Sequence, residues 1–197
     1  MKQKPKTNMK IILDNGHGND TEGKRSPSWS SGTPQIFEWS YNRRITAAIH
    51  KALPDNTIIL VPEDNDIPLK ERVERANAIS KQYSNNVLLL SIHLNAHTTA
   101  TPKGWEIHTV KGATPSDKFA DIFYKSAQNI LLTEGITMRS KFKSDFYILK
   151  QTICPAVLTE NLFMTNENDC IYLNSTIGFN NIVKLHIDAI NQILNVK

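Results

Sequence analysis

The stretch VLLLSIHLNA, residues 87–96, decides the fold. Val87, Leu88, Leu89, Leu90 and Ile92 form a near-continuous apolar run, which is the signature of a central strand buried on both faces. The run ends in His93 and Asn95, so polar chemistry begins where the strand stops. The same grammar recurs on either side. KIILD (10–14) is an apolar strand followed by Asn15-Gly16-His17-Gly18, and PAVLT (155–159) is followed by Glu160-Asn161. Further strands are expected at 57–61, 104–110 and 146–149. Helices are expected at 35–53, 68–83, 116–132, 167–173 and 179–194, with Phe37, Tyr41, Ile45 and Ile49 as the apolar stripe of the first. Strands alternating with helices of ten or more residues give a single α/β domain. Its expected core is a twisted, mostly parallel sheet of about six strands, flanked by helices on both faces.

Composition agrees with one domain. The chain has 197 residues, 40% of them hydrophobic and 21% charged, and a chain of this size buries about 70% of its surface on folding. Residues 1–8 read as a polar tail and 9–197 as the folded domain. No apolar run reaches the ~20 residues of a membrane-spanning helix. The basic N-terminus lacks an apolar segment of signal-peptide length. The net charge of +4 suits an anionic partner such as nucleic acid, a membrane surface or a bacterial cell wall, but the basic residues are scattered with no run of five or more, which favours a solvated surface. Two cysteines, Cys154 and Cys170, are too few for a disulfide framework or a structural zinc site.

In open α/β sheets ligands bind outside the carboxyl ends of the strands. His17, His93 and Glu160 all stand at such ends. Glu38, in the first turn of the long helix, lies off the apolar stripe and is a fourth candidate. Two neutral imidazoles and one carboxylate make a three-ligand zinc site with an open position, and a further carboxylate beside it would serve as general base. Spacing alone leaves open which carboxylate does which. It also leaves the blander reading of each residue standing: structural histidines, and a helix-dipole partner for Glu38. His97 is expected in a loop, His108 on the wetter face of its strand, and His50 and His186 as structural residues on helices.

Five segments, in order, resemble the zinc-dependent N-acetylmuramoyl-L-alanine amidases of the amidase-3 family, which hydrolyse peptidoglycan. They are Ile11–Gly18 with His17; Glu38 with Asn42; Asp66-Ile67-Pro68-Leu69 with Arg72, Arg75, Ala76 and Asn77; Ser91–Ala96 with His93; and Pro155–Glu160 with Asn166. The resemblance implies one zinc ion held by His17, Glu38 and His93, with Glu160 as the catalytic acid/base. It also implies substrate contacts from Asn95 and from Arg139 or Lys141. The bond cut would be the amide between the lactyl group of N-acetylmuramic acid and L-alanine. The implied partner is peptidoglycan, with no nucleic acid, no membrane and a monomeric chain. A lysin-like protein of this build would reach the wall by release from the cytoplasm, or else by another export route. The alternatives are a zinc peptidase acting within stem peptides and a non-catalytic wall-binding module. The chain departs from the family's usual pattern at Asn15 and Asn19, and in Asn161-Leu162-Phe163-Met164 after the glutamate.

Overall fold

The computed structural model describes residues 9–195; the expected tail at 1–8 lies outside them. Six strands are present: β1 Lys10–Asn15, β2 Thr57–Ile59, β3 Val87–Asn95, β4 Trp105–Val110, β5 Met138–Ser144 and β6 Ala156–Phe163. They form one sheet in the order β2-β1-β3-β6-β4-β5. The first four are mutually parallel. β4 runs antiparallel to β6, and β5 is parallel to β4. The helices are α1 Glu38–Ala52, α2 Leu69–Gln82, α3 Ser116–Leu131, α4 Tyr147–Gln151, α5 Glu167–Asn174 and α6 Thr176–Asn195.

Side chains alternate faces along a strand, so each strand supplies two cores. Ile11, Leu13, Leu88, Leu90, Ile92 and Val157 pack under α1, α3 and α6. Ile12, Leu89, Ala156 and Leu158 pack on the opposite face, against Val73 and Ala76 of α2 and Ile148 and Leu149 of α4. The same parity carries Asp14, His93 and Glu160 onto the α2/α4 face. It carries Thr159 and Asn161 onto the α6 face.

Two expectations fail. The apolar residues 146–149, expected as a strand, form the start of α4, whose Ile148 and Leu149 are buried while Phe146 and Tyr147 are exposed. A short apolar run does not by itself distinguish strand from helix. The missing strand is β5, MRSKFKS, whose alternation is basic rather than apolar. It is an edge strand, and lysines on an edge are a common guard against unwanted pairing. A smaller difference is Phe37. It caps α1 from outside with 44% exposure instead of joining the buried stripe.

Candidate active site

β1 delivers its histidine through a tight turn. His17 has φ +65, a left-handed conformation that is rare for a side-chain-bearing residue, and its neighbours make that turn possible. A Cβ on Gly16 would sit 2.1 Å from Cε1 of His93, and one on Gly18 would sit 1.9 Å from the Asp66 nitrogen. Side-chain amide and guanidinium groups then fix the turn's carbonyls. Asn42 Nδ2 donates to the Gly16 oxygen at 3.3 Å, and Arg43 Nη1 donates to the His17 oxygen at 2.8 Å. Arg72, 2% exposed, donates to Asp14 Oδ1 at 2.7 Å, the Asn15 oxygen at 2.8 Å and Asp66 Oδ1 at 2.9 Å. Ser91 donates to the other Asp14 oxygen at 2.6 Å, which ties β1 to β3.

Glu38 opens α1 and is 1% exposed. Its Oε1 accepts from the Leu94 amide at 3.1 Å and lies 3.1 Å from His93 Nδ1. Its Oε2 lies 3.4 Å from His17 Nε2. The two imidazole rings stand 5.1 Å apart and nearly perpendicular. One donor atom from each of His17, Glu38 and His93 falls within 4.8 Å of the others. Two imidazole nitrogens and a carboxylate, converging from three different elements, are a donor set that fits a divalent metal ion of the zinc type. The electrostatics agree. Burial, partly offset by Glu38, lowers the His17 pKa to about 4, so its ring is neutral and able to ligate at neutral pH. Burial alone would raise Glu38, but the hydrogen bond and charge of His93 bring it below its ordinary value. Burial likewise opposes charge on His93, and Glu38 outweighs it, raising that pKa.

Glu160 stands beside this cluster. It pairs in register with His93 across β3 and β6 and shares its face of the sheet. Its Oε2 is buried with no hydrogen-bond partner among the described residues. Burial is the main reason its pKa rises to about 8, with Glu38 and Glu106 adding to the rise and His93 opposing it. β3 and β6 therefore run on through His93 and Glu160, instead of ending before them as expected. The pair sits within the last hydrogen-bonded turns of the sheet. Just beyond, a register shift between His93 and Asn95 leaves Leu162 at φ +71.

Asn161 ties this region down from the opposite face. Its Oδ1 accepts from Trp105 Nε1 at 2.8 Å, and its Nδ2 donates to the His93 oxygen at 3.1 Å. Asp169 holds the same end of the sheet by accepting from the amides of Gly104 and Phe163 at 2.8 and 2.9 Å.

The remaining candidates divide. Asn95 Nδ2 donates to Glu106 Oε1 at 2.7 Å. Glu106 pairs in register with Glu160 and also binds Arg139 and His108. Arg139 is therefore one residue removed from Glu160, and its guanidinium lies 5.0 Å from the Phe163 ring centroid. Lys141 ion-pairs with Asp121 of α3 and is not part of this group. A register shift between Trp105 and Ile107 sends Arg139 and Lys141 to opposite faces of β5. Glu106 was not singled out from sequence, although Glu106 and His108, two apart in WEIHTV, carry a period-2 polar signal. His108 is not on a wet face. It is 7% exposed and lies between Phe142 and Phe146. His97 hydrogen-bonds to Thr99 in an exposed loop, His50 to Thr57, and His186 to Thr159, as structural residues do.

A model of the N-acetylmuramoyl-L-alanine amidase family matches residues 11–192. The chain belongs to this family. Its amidase domain is 29% identical over 194 residues to the endolysin of Bacillus phage SPP1, covering 95% of this chain and 66% of the phage protein. It is 27% identical over 194 residues to the N-acetylmuramoyl-L-alanine amidase CwlM of Bacillus licheniformis, covering 95% of this chain and 70% of that one. The amidase fold superposes on the N-acetylmuramoyl-L-alanine amidase of Clostridium difficile 630 with a TM-score of 0.81 at 23% identity, over 97% of this chain and all of that one. Among the described residues no helix of this amidase domain is long and apolar enough to cross a membrane.

Proposed function

We propose that residues 9–197 form a zinc-dependent catalytic domain that hydrolyses the amide between the lactyl group of N-acetylmuramic acid and L-alanine. The observation that carries this reading is Glu160, held in register beside the His17–Glu38–His93 cluster with its Oε2 buried and unpartnered among the described residues. His17, Glu38 and His93 would hold the ion. Zinc, when bound, supplies a Lewis acid for the scissile carbonyl and acidifies water.

Glu160 moves the proton. As carboxylate it takes one from the attacking water through Oε2, and as acid it returns it to the departing amine of L-alanine. One C–N bond breaks and one C–O bond forms, leaving a lactyl carboxylate and a free L-alanine N-terminus. Burial raises the Glu160 pKa, which makes its carboxylate a stronger base for the water and stabilises the protonated form that serves the departing amine. Leu94 N, Arg43 and Arg72 position the cluster without touching the reacting atoms. All four residues come from one chain, so a monomer suffices in this reading. Peptidoglycan is the partner, and the cell wall is where the domain acts.

The test is mass spectrometry of muropeptides released from purified sacculi, with and without a chelator. New lactyl carboxylates paired with L-alanine N-termini, lost on chelation, are expected. New D-amino-acid ends would instead mean a peptidase acting within the stem.

A further inference from the structure

The 19–25 loop is not explained by the metal cluster. It closes against the start of α1 through paired residues. Arg25 and Phe37 form an isolated antiparallel bridge, the Glu38 amide donates to the Lys24 oxygen at 3.0 Å, and the Ser26 amide donates to Ile36 at 2.8 Å. Glu38 therefore points into the metal cluster, while Phe37 and Trp39, on either side of it, wall a cavity of about 450 Å3 with the loop. This lies within the range of small-ligand pockets, about 300–1,000 Å3.

The loop is held in place before any ligand arrives. The Gly18 amide donates to Thr21 Oγ1 at 2.9 Å, Thr21 Oγ1 donates to Asp66 Oδ2 at 2.8 Å, and the Asp66 amide donates to Asp20 Oδ1 at 2.6 Å. A wall ordered in advance lowers the conformational cost of binding.

The cavity's chemistry selects its occupant. Asp20 and Glu22 balance Lys24 and Arg25, so the lining has no net charge. The side chains of Asn19, Glu22, Lys24 and Arg25 make no hydrogen bond or ion pair among the described residues. They offer donors and acceptors around two aromatic side chains, one of which, Trp39, is backed by Arg43 at 5.6 Å from its ring centroid. Neutral polar surface around exposed rings suits a saccharide, whose C–H faces pack on aromatics while its hydroxyl and acetamido groups hydrogen-bond. A peptide rich in carboxylates would favour a lining of net positive charge. A second cavity of about 280 Å3 is lined by His17 and His93 themselves, with Asp66 and Arg72 and the aliphatic side chains of Ile67, Leu69 and Ile148.

We propose that the cavity between the 19–25 loop, Phe37 and Trp39 is a saccharide subsite that holds the glycan strand beside the scissile amide. This rests on the amidase reading above. It places the sugar chain on the α1 side of the cluster and makes the loop a determinant of how strongly glycan polymer is preferred over short fragments.

The experiment titrates the zinc-loaded chain calorimetrically with the uncharged tetrasaccharide of β-1,4-linked N-acetylglucosamine, because peptide-free N-acetylmuramic acid carries a lactyl carboxylate of its own. The variants are Phe37→Ala and the double variant Lys24→Ala/Arg25→Ala, each checked for zinc content. The expected result is saccharide binding by wild type that weakens about tenfold or more in both variants, the loss of roughly one good contact, with zinc retained. KM for sacculi should rise in parallel while kcat holds. No binding by wild type, or equal binding by all three proteins, would overturn the subsite. So would unchanged glycan binding with lost affinity for a free stem tetrapeptide, which would assign the cavity to the peptide. Failure of the amidase reading would show separately, as sacculi digested by wild type without new lactyl carboxylates.

Discussion

Gly16 shows how little room the site leaves. Its missing Cβ is the space that the His93 ring fills, since any side chain would begin 2.1 Å from Cε1. Gly16→Ala must therefore displace one of the two histidines. The expected outcome is loss of bound zinc, measured by elemental analysis, from protein that remains folded by circular dichroism. Glu38 supports a sharper contrast. As a ligand flanked by two imidazoles, its change to Gln should cut zinc affinity steeply. As a mere helix-dipole partner the same change would cost about 0.3–1 kcal/mol of stability and leave the metal in place. Metal titration of the folded Glu38→Gln protein separates these two outcomes. Both residues were visible in the sequence as types at the right places. What sequence could not supply was that Glu38 accepts a hydrogen bond from the backbone amide of Leu94, or that Glu106 stands in register with Glu160. Those facts come from pairing between segments far apart in the chain.

At the level of elements, α2 and α6 each hold one strand end through a single buried polar residue. Arg72 of α2 is buried and binds Asp14 and Asp66, together with the carbonyl of Asn15. Removing one partner of a buried ion pair typically costs about 3–5 kcal/mol. Arg72→Met is expected to lose stability on that scale in denaturant titration, with the His17 turn loosened and zinc affinity reduced. His186 of α6 donates Nδ1–H to the Ile182 oxygen and accepts from Thr159 at Nε2. Burial lowers its pKa to about 4, against about 6.5 in an unfolded chain. The neutral form is the one that folds, so its stabilisation is full above pH 6.5 and is lost as pH falls towards 4. The loss amounts to as much as about 3 kcal/mol. His186→Gln should show a shallower fall of unfolding free energy across that window than wild type. His17 titrates in the same window but is common to both proteins. The elements themselves were mostly legible. Buried β1, β3 and β6 and the amphipathic helices follow from hydrophobic period. β5 and α4 were not legible, because an edge strand carries charge where a central strand carries leucine, and four apolar residues are too few to show a period.

For the molecule as a whole, the two cores lie beneath the cluster and close without it. Ile11, Leu13, Leu88 and Leu90 are fully buried on one face, and Ile12 and Leu89 on the other. Chelation should therefore abolish turnover while leaving the far-ultraviolet spectrum unchanged. Tm should fall only by the mass-action contribution of a ligand that binds the native state. Global unfolding on chelation would instead make the metal structural. The remaining claim is the division of labour that the arrangement implies, with three residues holding the ion and a fourth moving the proton. It is tested most directly by one comparison: zinc content and sacculus turnover measured on the same preparation of Glu160→Gln. Loss of general acid–base catalysis typically costs about 10²–10⁴-fold, so turnover should fall by at least that much with about one zinc per chain retained, as a three-ligand site requires. Metal-free Glu160→Gln protein would make Glu160 a ligand, and near-normal turnover would contradict the mechanism outright.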